Sequence, residues 1–219
     1  MIALPAVQVP EVITQCGQKG IGYAVVLGGG FREAGAAGMA VEKELMLAAR
    51  AGNVRLIGPN CLGYVNVPNR VFAGFGSITR PPEHRPGSVS AVIQSGGFGN
   101  SLVVQAAYAG IGFQNVVASG NESDINSAEV ISAFVDDPHT RVILAYLEGV
   151  SDGRALMAAA RHALAAGKPV VVLKGGRTQQ GLRAAASHTG CMLAAHDLYR
   201  AAFRQCGIVE ASDIGDAVD

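Results

Sequence analysis

With 219 residues, 49% hydrophobic and 16% charged, the sequence has the length and apolar content for one large or two small α/β domains. A formal net charge of zero leaves no global basic field for nucleic acid or anionic lipid, and 5% aromatics with no Trp argue against a base-stacking platform. Cys16, Cys61, Cys191 and Cys206 are far apart and form no C-x-x-C pair, so reduced thiols in a cytosolic protein are expected rather than a disulfide or zinc framework.

In chain order, short apolar runs alternate with amphipathic stretches of helical length. Helices are expected at Pro10–Lys19, Gly38–Ala51, Asn100–Ala109, Ser127–Val135, Arg154–Ala166 and Ala194–Gln205. Strands are expected at Tyr23–Leu27, Val54–Ile57, Val89–Gln94, Val116–Ser119, Val142–Leu147 and Pro169–Lys174. The alternation predicts an α/β fold with a doubly wound parallel sheet. Pro68, Pro81, Pro82 and Pro86, with Gly74 and Gly76, mark a boundary between Asn66 and Pro86, and two lobes are expected, residues 1–66 and 67–219. The first lobe opens on a helix and offers two clear strands, too few for a stable sheet alone. At the other end Ser212-Asp213 reads as a helix N-cap within two turns of the last residue. Both ends lead to the expectation that this chain is part of a longer architecture. Met1 leads into Ile2-Ala3-Leu4-Pro5 without a charged leader, and no stretch approaches the roughly 20 apolar residues of a membrane span, so a cytoplasmic location is expected.

Ligands in an open α/β sheet sit outside the carboxyl ends of its strands. Four turns should open there: Ser95-Gly96-Gly97, Gly120-Asn121-Glu122, Glu148-Gly149 and Lys174-Gly175-Gly176-Arg177. Ser95-Gly96-Gly97 begins a helix, where free N–H groups favour an anion; the alternative is a tight turn that needs Gly for geometry alone. His188 lies among small residues in Ala186-Ser187-His188-Thr189-Gly190, which leaves its imidazole little shielded. From Gly153 to Ala195 there is no Asp or Glu, while Lys174, Arg177 and Arg183 lie near a Gly-rich rim, where Lys and Arg suit phosphate. Arg154, Arg161 and Lys168 are expected only to solvate a helix and its end. Glu148, ending an apolar strand, is the carboxylate expected to fix the imidazole tautomer and stabilise the cation that forms.

These motifs resemble, in order and over nearly the whole chain, the NDP-forming acyl-CoA synthetases, with the succinyl-CoA synthetase α subunit a more distant relative. Gly58-Pro59-Asn60-Cys61-Leu62-Gly63 resembles the signature that closes that family's CoA-binding domain. Gln94-Ser95-Gly96-Gly97 looks like the start of its phosphate-facing helix, and Ser119-Gly120-Asn121-Glu122 like its strand-end loop. Tyr146-Leu147-Glu148-Gly149 is similar to the segment whose glutamate supports a phosphohistidine, and Lys174–Thr178 followed by Ser187-His188-Thr189-Gly190 to the phosphohistidine segment.

The resemblance implies a partial Rossmann-like CoA-binding lobe followed by a flavodoxin-like domain. It implies an acid–CoA ligase in which His188 carries phosphate, Glu148 supports it, and Ser95, Gly96 and Gly97 cradle the anion. Lys174 and Arg177 are then anion contacts, Asn60 faces the CoA side of the crevice, and no metal is held by this chain. Coenzyme A and a small carboxylic acid are the implied substrates. ATP or ADP with Mg2+ would be held on an ATP-grasp domain or subunit, within an oligomer. The sequence departs from the family in lacking the opening strand and Gly-rich CoA loop, and it contains no ATP-grasp domain. Two rivals remain: a catalytically silent acyl-CoA-binding or regulatory remnant, and a serine hydrolase using Ser95, His188 and Asp124 or Asp152. The second lacks the G-x-S-x-G elbow.

Overall fold

The computed structural model describes residues 1–80, 84–176 and 196–219. The first lobe is built on two parallel strands, β1 (Tyr23–Val25) and β2 (Arg55–Ile57), with Ile2 bridged in parallel to Val26 beside them. Helices α1 (Val9–Gln18) and α2 (Ala36–Ala51) cover this sheet. Pro10 sits in the first turn of α1, where its missing N–H costs nothing. The two helices approach so closely that a Cβ on Gly17 would lie 2.5 Å from Gly52 Cα. Val9, Ile13, Phe31, Leu45 and Leu56 are fully buried between the layers.

The second lobe contains β3 (Gly63–Asn66), β4 (Val71–Gly74), β5 (Pro86–Ile93), α3 (Phe98–Tyr108), β6 (Phe113–Ala118), α4 (Ser127–Asp136) and β7 (Val142–Leu147). It continues with α5 (Gly153–Ala165), β8 (Val170–Lys174), α6 (His196–Cys206), β9 (Val209–Ala211) and α7 (Ile214–Val218). These strands form one sheet in the order β4-β3-β6-β5-β7-β8-β9, parallel except for β3, which runs antiparallel to both neighbours. Side chains alternate between two cores. Ile143, Ala145, Leu147, Val170 and Val172 pack under α4, α5 and α6, while Leu144, Tyr146 and Leu173 pack under α3. A parallel sheet with a core on each face is the doubly wound arrangement the sequence predicts.

The hairpin β3–β4 and the edge strand β9 are not among the expected elements. Gly63–Asn66 precedes the expected lobe boundary, yet it pairs with β6 in the second sheet. The turn is closed by Arg70 N–H donating to Val67 O at 3.1 Å and Asn69 N–H donating to the Asn66 side chain at 2.9 Å. Lys168 does more than solvate a helix end. Its ammonium donates to Val135 O at 2.5 Å and Asp137 O at 2.7 Å, capping the last carbonyls of α4. Lys168→Met is expected to cost about 1.5–3 kcal/mol, the range for hydrogen bonds to a charged group. Urea unfolding measures it, and an unchanged midpoint contradicts the cap.

Candidate active site

Along the second sheet, the strand following β5 in sequence (β6) lies on one side of it and β7 on the other. Such a reversal opens a crevice beyond the strand ends. The loops after β5 and β7 meet there, in a cleft of about 210 Å³ that the first lobe closes from the other side. Asn60, Ser95, Gly96, Gly97 and Glu148 all line it.

Gly97 is the N-cap of α3, which has no side-chain cap and no acidic residue in its first turn. Among the described residues no side chain accepts from its leading N–H groups, which suits them to an anion. Gly96 is packed against the other lobe, since a Cβ there would lie 3.3 Å from Leu62 Cγ.

Glu148 is 8% exposed. Among the described residues its carboxylate accepts one long hydrogen bond, from the Tyr146 hydroxyl at 3.5 Å. Burial, then the neighbouring Glu148 charge, pushes the Tyr146 hydroxyl above its ordinary range, so it stays protonated and able to donate. The Glu148 backbone is held much more tightly than its side chain. Gln94 Oε1 accepts from Glu148 N–H at 2.6 Å and Gly149 N–H at 3.1 Å, while Gln94 Nε2 donates to Gly149 O at 2.7 Å. Sequence reasoning does not assign this bracket to Gln94. The one signal available is an amide ending an apolar strand immediately before Ser-Gly-Gly.

Lys174 does not line the cleft. It is 3% exposed, and its ammonium donates to Glu148 O at 2.6 Å and to Gly175 O. The anion contact expected of it therefore becomes a tether between two strand ends. Gly175 permits this packing, because a Cβ there would come within 2.7 Å of the Tyr146 oxygen. Arg177 and His188 lie outside the described residues.

The wall contributed by the first lobe is the Gly58–Gly63 turn. Asn60 is held at φ 57 with its N–H donating to Gly28 O at 2.9 Å. Cys61 is buried, its thiol pushed up to about 12 by desolvation and donating to Val26 O at 3.3 Å, which makes it an inert packing group. The loop after β6 clamps this turn. Asn121 N–H donates to Pro59 O at 2.9 Å and Ser123 N–H to Gly58 O at 3.1 Å. The Asn121 side chain accepts from Asn60 at 3.3 Å and donates to Glu33 at 2.5 Å, while the Ser123 hydroxyl donates to Glu42 at 2.6 Å. Burial opposes ionisation of Glu33, but the Asn121 amide and the backbone N–H groups of Gly30 and Phe31 outweigh it and hold the carboxyl below its usual range.

Both acids of the hydrolase alternative are occupied elsewhere. Asp124 accepts from Arg55 Nε at 2.9 Å and Leu56 N–H at 2.8 Å, and Asp152 caps α5 through Ala155 N–H at 2.9 Å. Ser95 has no G-x-S-x-G elbow, so nothing marks it as a nucleophile. Cys16, Cys61 and Cys206 are unpaired. Among the described residues no helix is long and apolar enough to cross a membrane.

A doubly wound domain with its cleft at the β5/β7 reversal agrees with what the whole sequence matches. Residues 86–219 match the succinyl-CoA ligase like flavodoxin domain, and the chain belongs to that family. It is 41% identical to the acetate–CoA ligase [ADP-forming] I subunit alpha of Pyrococcus furiosus, over all of this chain and 46% of that one. It is 40% identical to acetate–CoA ligase [ADP-forming] I of Archaeoglobus fulgidus, over all of this chain and 31% of that one. The dinucleotide forming acetyl-coenzyme A synthetase 1 of Ca. Korarchaeum cryptofilum, solved in complex with phosphate and ADP, superposes with a TM-score of 0.90 at 38% identity, covering 99% of this chain and 46% of that one. The chain thus spans between about a third and a half of the length of these relatives.

Proposed function

We propose that this chain is the phosphate-carrying component of an ADP-forming acid–CoA ligase, with His188 as the residue phosphorylated. The observation that carries this is the convergence of Asn60, Ser95, Gly96, Gly97 and Glu148, drawn from both lobes, on one cleft. Kinship with proteins named ADP-forming acetate–CoA ligases adds support.

In this scheme the His188 imidazole attacks the terminal phosphorus of ATP, held with its Mg2+ on an ATP-grasp partner. An N–P bond forms and the P–O bond to ADP breaks. Glu148 holds the far ring nitrogen protonated and offsets the charge of the imidazolium. The N–H groups of Ser95–Gly97 and of the start of α3 receive the equatorial oxygens of the phosphoryl group and fix its line of transfer. A carboxylic acid oxygen next attacks phosphorus and frees the imidazole, and the CoA thiol displaces phosphate from the acyl phosphate. Splitting the exchange this way replaces one difficult displacement by several easier ones. A cleft of about 210 Å³ lies below the ~300–1,000 Å³ of drug-sized ligand sites, which suits a small acid and the thiol end of the coenzyme rather than the whole of CoA. Asn60 stands on the wall facing that thiol arm.

The test is incubation of the chain with an ATP-grasp subunit of an ADP-forming ligase and γ-labelled ATP. Acid-labile, alkali-stable label on the wild type, and none on His188→Asn, is the expected result. Absence of label on the wild type with every ATP-grasp subunit tried overturns the scheme.

A further inference from the structure

Given the ligase function proposed above, we infer that Lys174 is a positioning residue, whose ammonium ties the ends of β7 and β8 to α6 and thereby fixes the Glu148 carboxylate. Leu147 and Lys174 are register partners at the ends of adjacent parallel strands. From there the Lys174 side chain turns back beneath the rim. Nζ reaches Glu148 O at 2.6 Å and Gly175 O, and it lies 4.6 Å from the centre of the Tyr199 ring. Three elements converge on one cation: the end of β7, the end of β8, and α6. With Lys174 3% exposed, two carbonyls and an aromatic face take the place of water around its ammonium. Gln94 brackets the Glu148 peptide from the N–H side and Lys174 holds its carbonyl. A carboxylate whose only described hydrogen bond is 3.5 Å long keeps its place through this backbone grip.

The grip depends on charge. The charges of Glu148 at the end of β7 and Glu210 on β9 both act on the ammonium, and Glu210 lies 3.2 Å from His196 and 4.0 Å from Arg200 on α6. Among the described residues, Tyr146 and Tyr199 are the uncharged titratable groups near it. Burial lowers the Lys174 pKa from 10.5 to about 8, with the two carboxylates opposing. Above that pH the neutral amine still donates, but its hydrogen bonds lose roughly half their strength and the attraction to the ring disappears. Activity and stability should then diverge. The unfolded lysine keeps its proton up to 10.5 and the folded one releases it near 8, so this group adds stability as pH rises through that window, while phosphorylation of His188 slows.

The experiment measures the initial rate of His188 labelling against pH, using the chain with its ATP-grasp subunit, for wild type, Lys174→Arg and Lys174→Met. The wild-type rate is expected to fall about 3–10-fold above the Lys174 midpoint. Lys174→Arg, always charged, should lose that alkaline limb whatever its absolute rate. Lys174→Met should lower labelling about 10-fold at neutral pH, yet cause no further loss in a Glu148→Gln background, because both changes act through one group. Losses that multiply, or an alkaline limb that persists in Lys174→Arg, overturn the positioning role and leave the ligase function standing. A wild type that takes no label removes both.

Discussion

Glu148→Gln lowers the rate of His188 phosphorylation by about 10²-fold or more while the protein stays folded. The substitution keeps shape and volume. The backbone bonds to Gln94 and Lys174 do not involve the carboxylate and should survive. What disappears is one negative charge on a residue that is 8% exposed. A carboxylate about 4 Å from an imidazolium is worth about 4 kcal/mol at the effective dielectric of a partly shielded site, and even half of that exceeds a tenfold rate effect. The neutral amide accepts a hydrogen bond from the ring but cannot stabilise the cation that appears as phosphate leaves. Stability should hold or rise slightly, since a buried charge with one long hydrogen bond is a cost to the fold. Label incorporation and a urea midpoint on the same preparation separate the effects. Wild-type labelling by Glu148→Gln contradicts the role given to this residue.

Residues that face the cleft are legible in the sequence because every parallel strand delivers its carboxyl end to one rim. Ser95-Gly96-Gly97 and Glu148 each follow an apolar run, and that alone places them near one another. What lies beneath the rim is not legible. A lysine before Gly-Gly reads as a phosphate contact, and only the third dimension turns Lys174 inward to two carbonyls and the Tyr199 ring. The hairpin β3–β4 is hidden because its strands have four residues each and are joined through Pro68-Asn69, which looks like the linker composition that follows. β9, with three residues at the sheet edge, carries no usable periodicity. The lobe clamp escapes for a different reason. Asn121 and Glu33 are 88 positions apart, and no local pattern announces that an amide on one lobe will donate to a carboxylate on the other.

That clamp makes Gly120→Ala a damaging substitution despite its size, with an expected loss of about 3 kcal/mol or more. Gly120 sits at φ 60, where an L side chain costs about 1–2 kcal/mol. The added methyl would also collide with the Pro59 carbonyl oxygen and lie 2.6 Å from that of Asn60. The Pro59 carbonyl does not yield easily, because Asn121 N–H is bonded to Pro59 O and the N–H of the same peptide, that of Asn60, to Gly28 O, both at 2.9 Å. Gly167→Ala is the control: its φ is 69, but nothing lies within 4 Å of the new methyl, so it should cost only the backbone penalty of about 1–2 kcal/mol. The excess of Gly120→Ala over Gly167→Ala in urea unfolding therefore measures the docking of the lobes. Function should split in parallel. In protein that remains folded, displacement of the Pro59–Asn60 turn moves the wall assigned to the thiol arm but leaves Ser95–Gly97 and Glu148 in place. Labelling of His188 should stay within about 3-fold of wild type while CoA-dependent turnover drops about 10-fold or more. Equal losses in both steps, or equal stabilities for the two alanine variants, contradict the assignment of the Gly58–Gly63 turn as the coenzyme-side wall of the cleft.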